Sequence, residues 1–280
     1  MNTPGRPYPT SEDAARQGRE AVSIATAGRY TSPSGQIIEL GESVRNAMAG
    51  TIEYPPDAEV PVVTPSASKR GAVSVVNGTS LESAVEMARR GLVPLVLNFA
   101  SAKNPGGGFL GGAIAQEESL ARSSALFACL DGRRMYSFHR RNRDAAYTSW
   151  MIYSPGVPVF RSDRSGALLE EPYACAFLTA PAPNAKVVLE REPGRRAEVE
   201  RAMSERITRA LRICVKHGHR HLVLGAWGCG VFGNDPSYVA AEFRRVSSDE
   251  FRDAFDEVVF AVLDTSRERR FIGPFEANFG

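Results

Sequence analysis

The sequence is poor in cysteine and has no long apolar run. Its four cysteines are widely spaced and form no CxxC pair, so neither a zinc ribbon nor a disulfide framework is expected. They are Cys129, Cys175, Cys214 and Cys229. No apolar stretch reaches the length that spans a bilayer, and residues 1–12 lack the apolar core of a signal peptide. We therefore expect a reduced, cytoplasmic protein that binds no membrane.

A large excess of charge of one sign is also missing. The 34 Lys and Arg residues nearly balance the 32 Asp and Glu residues, which leaves a net charge of +2 over 280 residues. This balance argues against the basic surface of a non-specific nucleic-acid binder, and we expect no direct sequence-specific nucleic-acid binding. An anionic ligand would need a local site. The length suits one large domain with an extension, or two small domains.

From about residue 72 onward, strand-like segments alternate with helical ones. Strands are predicted at residues 73–76, 92–98, 151–153, 158–160, 173–179, 221–225 and 257–263. Helices are predicted at residues 79–90, 117–130, 195–216 and 238–246, and Thr79 and Glu82 have the spacing of a capping box at the start of the first of them. This alternation predicts an α/β fold of three layers, α/β/α, in which a ligand binds beyond the strand ends.

The first 70 residues have a different pattern. Ser11 can cap a helix that runs to about residue 27, and a short strand at 37–40 precedes a helix at 42–48. We therefore predict a mostly helical accessory extension at residues 1–70, packed on a ligand-binding domain at residues 71–280.

A first glycine-rich segment leads directly into a predicted helix start with the sequence Gln116-Glu117-Glu118. Five of the seven residues at 106–112 are glycine. Such a segment loses much entropy on folding, which makes sense where bare backbone N–H groups must approach an anion closely. The alternative is a flexible connector.

A second glycine-rich segment follows the predicted strand at 221–225. Gly228, Gly230 and Gly233 have the spacing G-x-G-x-x-G, so a dinucleotide-binding motif must be considered. Two features argue against it. Asp235 and the proline after it are typical of a helix that starts beyond the glycines, and Asp264 lies further away than the usual ribose-binding acid. Two glycine loops without a P-loop lysine instead favour a pyrophosphate that is bound and not transferred.

The adjacent acids Glu117 and Glu118 would point about 100° apart on a helix and so suit different tasks. Cleavage of a glycosidic bond needs a carboxylic acid that protonates the leaving oxygen. The helix N-terminus favours the ionised form of Glu118, while its acidic neighbour and a bound pyrophosphate favour the protonated form. The alternative is that these acids merely suit the first turn of a helix.

The run Gly106-Gly107-Gly108, seven further residues and then Gln116-Glu117-Glu118 resembles the signature of poly(ADP-ribose) glycohydrolases of the compact bacterial type. The similarity extends through residues 98–127 and 225–236, and more loosely to 180–184 and the helical extension. The resemblance implies a macrodomain, an ADP-ribose-binding α/β/α module with a mixed, largely parallel sheet, as the catalytic region at 71–280. It also implies hydrolysis of ribose–ribose bonds with release of ADP-ribose, without a metal or cofactor.

The resemblance also implies roles for single residues. Glu118 would be the catalytic acid, Glu117 would hold the ribose hydroxyls near the scissile bond, and Gln116 would support that geometry. Asn104 would bind the distal ribose. Phe232 would pack beside the adenosine end, although ordinary packing is an alternative for an aromatic residue in an apolar loop. The residues enclosing the diphosphate would be Gly107 and Gly108 on one side and Gly228, Gly230, Val231 and Gly233 on the other.

The partners implied by the resemblance are poly(ADP-ribose) and ADP-ribosylated proteins, with ADP-ribose as product. The process would be reversal of ADP-ribosylation in the DNA damage response. Two other functions share the same pocket: a non-catalytic ADP-ribose-binding macrodomain, and a hydrolase that removes single ADP-ribose units from proteins.

Two weaker patterns remain. His217, His219 and His221 alternate, as metal ligands on one strand face might, but a helix predicted to end at Gly218 interrupts that face and no acid or cysteine is near. We expect no metal site. The arginines of 133–143 lie in a predicted loop after the acidic helix, where a solvated surface is favoured over contact with the polymer.

Overall fold

A computed structural model of the protein describes residues 9–64 and 71–280. Its helices are α1 (Ser11–Ala27), α2 (Gly41–Gly50), α3 (Ser80–Arg89), α4 (Gln116–Ser123), α5 (Leu126–Leu130), α6 (Arg134–Arg141), α7 (Ala185–Arg191), α8 (Arg196–Lys216), α9 (Pro236–Ser248) and α10 (Ile272–Phe279). Its strands are β1 (Arg29–Thr31), β2 (Ile37–Glu39), β3 (Ile52–Tyr54), β4 (Ala72–Val76), β5 (Leu95–Phe99), β6 (Met151–Arg161), β7 (Leu168–Ala180), β8 (His221–Leu224) and β9 (Glu257–Ala261).

The main sheet has seven strands in the order β3-β6-β7-β5-β8-β9-β4. Neighbours from β7 to β4 are parallel, whereas β6 pairs antiparallel with both β7 and β3. Side chains alternate across the sheet, so that Leu95 and Leu97 enter one apolar cluster with α8, α9 and α10. Val96 enters the other, with α1, α2, α3 and α5. The predicted three-layer α/β/α fold with a mixed, largely parallel sheet is confirmed.

Several local predictions follow from capping chemistry and are confirmed. Thr79 and Glu82 form a capping box at the start of α3, each side chain accepting from the other's backbone N–H. At α9 the Asp235 side chain caps the helix and Pro236 is its first residue. The predicted cap of α1 is wrong by one residue, because Thr10 accepts from the Asp13 N–H.

Three segments differ from the prediction. The helix predicted at 117–130 is broken between α4 and α5, because Ser124 adopts an extended backbone and forms a bridge with Val159 of β6. The strands predicted at 151–153 and 158–160 are one strand, β6, with an irregularity between Ser154 and Val157. The arginine-rich segment predicted as a loop contains α6, whose buried face includes Met135 and His139.

Residues 9–64 contribute side chains to the apolar clusters on both faces of the main sheet. Strand β3 forms one edge of the main sheet, α2 packs on β6, and α1 packs on α4 and the loop before it. Ser11 Oγ donates to the carbonyl oxygen of Gly112, and Arg161, itself buried, pairs with Glu20 of α1 at 2.8 Å. Among residues 9–64 and 71–280, no helix is long and apolar enough to cross a membrane.

Candidate active site

The two glycine-rich segments emerge side by side, because β5 and β8 are parallel neighbours and each precedes one of them. We call residues 100–115 the first glycine loop and residues 225–235 the second glycine loop. Between them lies a cavity of about 430 Å³. Its walls include Gly78, Thr79, Ser80, Ser101, Ile114, Gln116, Glu117, Glu118, Asp163, Gly228, Gly230, Val231, Phe232, Leu263 and Phe271. The site therefore lies at the carboxyl edge of the parallel strands, as expected for this architecture.

The first glycine loop turns tightly against the start of α4. Gly106 and Gly107 have φ values of 69° and 62°, in the left-handed region that favours glycine. The N–H of Gly107 donates to the Asn104 carbonyl oxygen at 3.0 Å. A Cβ added at Gly107 would collide with Glu118 Oε1 and come within 3.1 Å of Glu117 Oε2. The glycine thus allows the backbone to approach both carboxylates.

Gln116 fixes the start of α4 to two other elements. Its Oε1 accepts from the Phe99 N–H at 2.9 Å, and its Nε2 donates to the Leu97 carbonyl oxygen at 2.8 Å and to Ser80 Oγ at 3.1 Å. The side-chain amide is therefore fully engaged with β5 and α3. These hydrogen bonds fix the position of the helix start that carries Glu117 and Glu118.

Glu117 is buried, with 4% of its surface exposed. Its Oε2 accepts from the Ser101 N–H at 2.6 Å, whereas its Oε1 has no hydrogen-bond partner within residues 9–64 and 71–280. Burial raises the pKa of Glu117 well above its usual range, and the charge of Glu118 adds to this. Hydrogen bonding from Ser101, Asn98 and Gly106 opposes that rise only in part.

Glu118 is half-buried on the cavity wall. Its Oε1 accepts from the Gly108 N–H at 3.0 Å, which directs the carboxyl group toward the glycine turn. One helical turn further on, Arg122 is buried and its Nη1 lacks a partner in the part of the chain that the structure describes. Burial lowers the pKa of Arg122, while the carboxylates of Asp163 and Glu118 act in the opposite direction. A carboxyl group in this position can donate a proton to a ligand atom in the cavity.

The second glycine loop is held by Asn234, whose Nδ2 donates to the Pro183 carbonyl oxygen at 2.8 Å and to the Gly228 carbonyl oxygen at 3.0 Å. Gly228 has φ 75°, and an added Cβ would lie 2.6 Å from that same Nδ2. A Cβ at Gly230 would have no neighbour within 4 Å, so the backbone there borders open space. Val231, at the tip, is 81% exposed. This loop therefore presents bare backbone to the cavity and is anchored at its base by Asn234.

Asp264 does not face the cavity as a ribose-binding acid would. Its Oδ2 accepts from the N–H groups of Phe271 (2.7 Å) and Ile272 (3.1 Å), and its Oδ1 accepts from the N–H and hydroxyl of Ser266. Burial alone would raise the pKa of Asp264, but these hydrogen bonds lower it to about 2. The carboxylate closes the turn before α10, and α9 begins after the second glycine loop, so the dinucleotide-binding alternative is wrong.

A family model and several solved structures match the chain, and they point to the same family. The family model described as the microbial-type PARG catalytic domain, where PARG is poly(ADP-ribose) glycohydrolase, matches residues 18–162. The structure resembles that of poly(ADP-ribose) glycohydrolase from Thermomonospora curvata, with 43% identity, 96% of this chain and 100% of that chain covered, and a TM-score of 0.91. The chain belongs to the microbial-type poly(ADP-ribose) glycohydrolase family.

Two further structures of this family contain ligands. The Thermomonospora curvata enzyme bound to the inhibitor ADP-HPD is 42% identical, with 96% of this chain and 100% of that chain covered and a TM-score of 0.87. The Deinococcus radiodurans poly(ADP-ribose) glycohydrolase in complex with ADP-ribose is 38% identical, with 86% and 98% covered and a TM-score of 0.76. Family membership also supports the macrodomain-like fold. No curated protein matched the chain in a sequence comparison.

The structure of this family member brings most predicted site residues to one cavity. Its lining includes Gln116, Glu117, Glu118, Gly228, Gly230, Val231 and Phe232. Asn104, Gly107, Gly108 and Gly233 are absent from the lining but lie in the same two loops, and Gly107 and Gly108 contact Glu118. The Phe232 ring also lies 6.0 Å from that of Tyr147, so it packs against protein as well as facing the cavity.

Several residues that line the cavity were not predicted from the sequence. Asp163 and Phe271 come from connections far along the chain from both glycine loops, and no local motif marks them. Burial raises the pKa of Asp163 above its usual range. Thr79 was predicted only as a helix cap, although its place beyond the end of β4 could have suggested a second role.

The alternating histidines have other partners. His217 Nε2 is hydrogen-bonded to the Tyr54 hydroxyl at 2.8 Å, and its ring stacks 3.6 Å from that of Tyr153. His219 Nε2 is hydrogen-bonded to the Tyr153 hydroxyl, also at 2.8 Å. These histidines therefore join α8 to β3 and β6. Among the residues that the structure describes, no group of three or more His, Cys, Asp or Glu side chains is placed to hold a metal ion.

Proposed function

We propose that the chain hydrolyses the ribose–ribose glycosidic bonds of poly(ADP-ribose) and releases ADP-ribose. The observation that carries this proposal is the placement of Glu118, held by the Gly108 N–H on the wall of a cavity between two glycine loops. Membership of the family and the ADP-HPD and ADP-ribose complexes of its bacterial members support it. The cavity volume of about 430 Å³ suits a ligand of nucleotide size.

The diphosphate would lie between the loops, against bare backbone at Gly107 and Gly108 on one side and at Gly228, Gly230, Val231 and Gly233 on the other. Backbone N–H groups in such turns offer donors to phosphate oxygens. Asn104 would bind the distal ribose and Glu117 its hydroxyls. Phe232 would contact the ligand, and Gln116 would keep α4 in position.

Glu118 would donate its proton to the leaving ribose oxygen as the glycosidic bond breaks. The anomeric carbon, which becomes cation-like, is then attacked by a water molecule, and Glu118 takes up the proton that this water releases. The proton balance is closed, because the carboxyl group ends in the form in which it began. Burial raises the pKa of the adjacent Glu117, which favours its neutral form in the free site.

The physiological substrates in this proposal are poly(ADP-ribose) chains and ADP-ribosylated proteins in the cytoplasm, and the process is reversal of ADP-ribosylation in the DNA damage response. The balanced charge of the chain supports an anionic ligand that is bound at a local site. We also propose that it binds neither membranes nor specific nucleic-acid sequences.

A Glu118→Gln variant tests the catalytic role. The amide is nearly isosteric but cannot donate a carboxylic proton, so ADP-ribose release from the polymer should fall by about a thousandfold or more. Binding of ADP-ribose, measured by calorimetry, should persist within a few-fold. Glu39→Gln, an exposed position in β2, is the matched control and should leave turnover unchanged.

Turnover by Glu118→Gln at the wild-type rate would contradict the role of this residue. Wild-type protein that binds ADP-ribose but releases none from the polymer would instead indicate a binding module. A preference for proteins carrying single ADP-ribose units over polymer would indicate a mono-ADP-ribosyl-protein hydrolase.

A further inference from the structure

A second pocket of about 450 Å³ opens beside the active site. We call it the basic pocket, and define it by Lys103, Arg143, Tyr147, Asn184, Val187 and Arg191. It is lined by three cationic side chains and by no acidic one. The arginines at 133–143 were predicted to form a solvated surface, but Arg143 lines this pocket together with two cations from distant segments.

In the described part of the chain, no carboxylate oxygen lies within 4.0 Å of the charged nitrogens of the three cations, Lys103, Arg143 and Arg191. Arg195, just beyond α7, behaves differently and pairs with Asp144 at 2.9 Å. Three like charges around one cavity repel each other, so an anion bound there would gain attraction from each.

Hydrogen bonds hold the backbone of residues 145–147, which forms part of the wall of the basic pocket. Tyr147 has φ 55°, a left-handed conformation that is rare for a bulky residue and needs support from its surroundings. That support comes from Arg206, a buried side chain that donates to the Ala146 carbonyl oxygen at 2.6 Å. The Asn184 N–H donates to the Ala145 carbonyl oxygen at 3.0 Å, which ties this loop to the start of α7.

The basic pocket adjoins the active-site cavity. The Tyr147 ring lies 6.0 Å from the ring of Phe232, which lines the active-site cavity, and 6.0 Å from Lys103 Nζ. Lys103 belongs to the first glycine loop, directly before Asn104, whose proposed ligand is the distal ribose. That ribose carries the bond to be broken, so the Lys103 side of the pocket lies toward the part of the polymer that leaves, whereas Tyr147 lies toward Phe232 and the adenosine end.

Resting on the proposed function, we propose that the basic pocket binds the diphosphate of the ADP-ribose unit on the leaving side of the scissile bond. Each unit of the polymer carries a diphosphate, which the three cations can bind, and an adenine, which the Tyr147 ring can stack against. We favour this occupant over a general nucleic-acid site because the three cations surround a pocket that adjoins the active-site cavity.

The test is an Arg143→Gln/Arg191→Gln double variant. Both arginines are exposed and remote from Glu118 in sequence. We expect kcat/KM for long poly(ADP-ribose) to fall about tenfold, mainly through KM, since an exposed charge contact contributes about threefold. Hydrolysis of an ADP-ribose aryl glycoside, whose leaving group carries no phosphate, should stay within about twofold. The matched control, Arg19→Gln/Arg252→Gln, removes two exposed arginines that line neither pocket.

Unchanged polymer hydrolysis by the double variant would overturn the proposal, and so would an equal loss on both substrates, which would place the arginines in the catalytic centre or the fold. Failure of the wild type on both substrates would instead refute the proposed function. A binding arm then still decides the matter: in a Glu118→Gln background, the double variant should bind ADP-ribose normally and the polymer about tenfold more weakly. An equal loss of affinity for a single-stranded DNA oligonucleotide would show a general polyanion surface and overturn the proposal.

Discussion

Two adjacent acids in this chain have different surroundings. Glu117 is buried and receives one strong hydrogen bond, from Ser101, whereas Glu118 is half-buried and borders the cavity. The difference follows from the 100° step of a helix, which turns one side chain toward β5 and the other toward the opening. One carboxyl group is therefore suited to hold a ligand, and the other to exchange protons with it.

We expect the substitution Glu117→Gln to raise the free energy of unfolding at neutral pH. The pKa of Glu117 is raised in the folded chain, while the unfolded chain releases this proton near the ordinary value of 4.5. Between those pKa values the folded state binds more protons, so the stability contributed by this group is present below pH 4.5 and is lost as pH rises toward the folded pKa. Glutamine avoids that loss and can still accept from the Ser101 N–H.

Urea denaturation from about pH 4 to about pH 8 measures this effect. The stability advantage of Glu117→Gln over wild type should grow with pH. Glu39→Gln, at an exposed site, should show no such trend. An advantage that is constant with pH, or that shrinks as pH rises, would contradict the raised pKa.

The contact between the first glycine loop and helix α4 determines the position of the Glu118 carboxyl group. Gly107→Ala would place a methyl group against Glu118 Oε1 and force an alanine into φ 62°. We expect polymer hydrolysis to fall by about a hundredfold, because displacing a catalytic group by about 1 Å has that effect. The unfavourable φ should also lower stability by about 1 kcal/mol.

Gly156→Ala separates these two effects. Gly156 has a similar φ of 56°, is exposed, and has no atom within 4 Å of an added Cβ. It should therefore lose similar stability in thermal denaturation but keep its turnover. Equal activity losses in the two variants would show that backbone strain, and not the collision with Glu118, causes the effect.

In the whole molecule, residues 9–64 form part of the main sheet and of both apolar layers. They supply strand β3 and the apolar residues of α1 and α2 that complete one face of the core, including Ala21, Ile24, Val44 and Ala47. A fragment of residues 71–280 should therefore fail to unfold cooperatively and should bind no ADP-ribose, because its sheet would expose the strand β6 and much of one apolar layer.

Circular dichroism melting and calorimetric titration with ADP-ribose, beside the full chain, check this expectation. A fragment that melts in one transition and binds ADP-ribose would show that the predicted boundary near residue 70 separates an independent domain from an accessory extension.

Local chemistry in the sequence accounts for much of this fold and for the two loops of its site. The alternation of strands and helices, the capping box at Thr79 and the stop at Gly218 all depend on local chemistry, which is why they were predicted close to their observed positions. The glycine run before Gln116 also acts locally, because only glycine adopts a positive φ without strain.

Tertiary structure alone decided what burial and distant neighbours control. It broke the helix predicted at 117–130, because Ser124 bridges to a strand, and it folded the arginine-rich loop into α6 against the core. It raised the pKa of Glu117 and engaged Asp264 with the backbone of residues 271 and 272. It also gathered the basic pocket from three separate segments. Desolvation and cavity shape depend on residues far apart in the chain, so no local pattern encodes them.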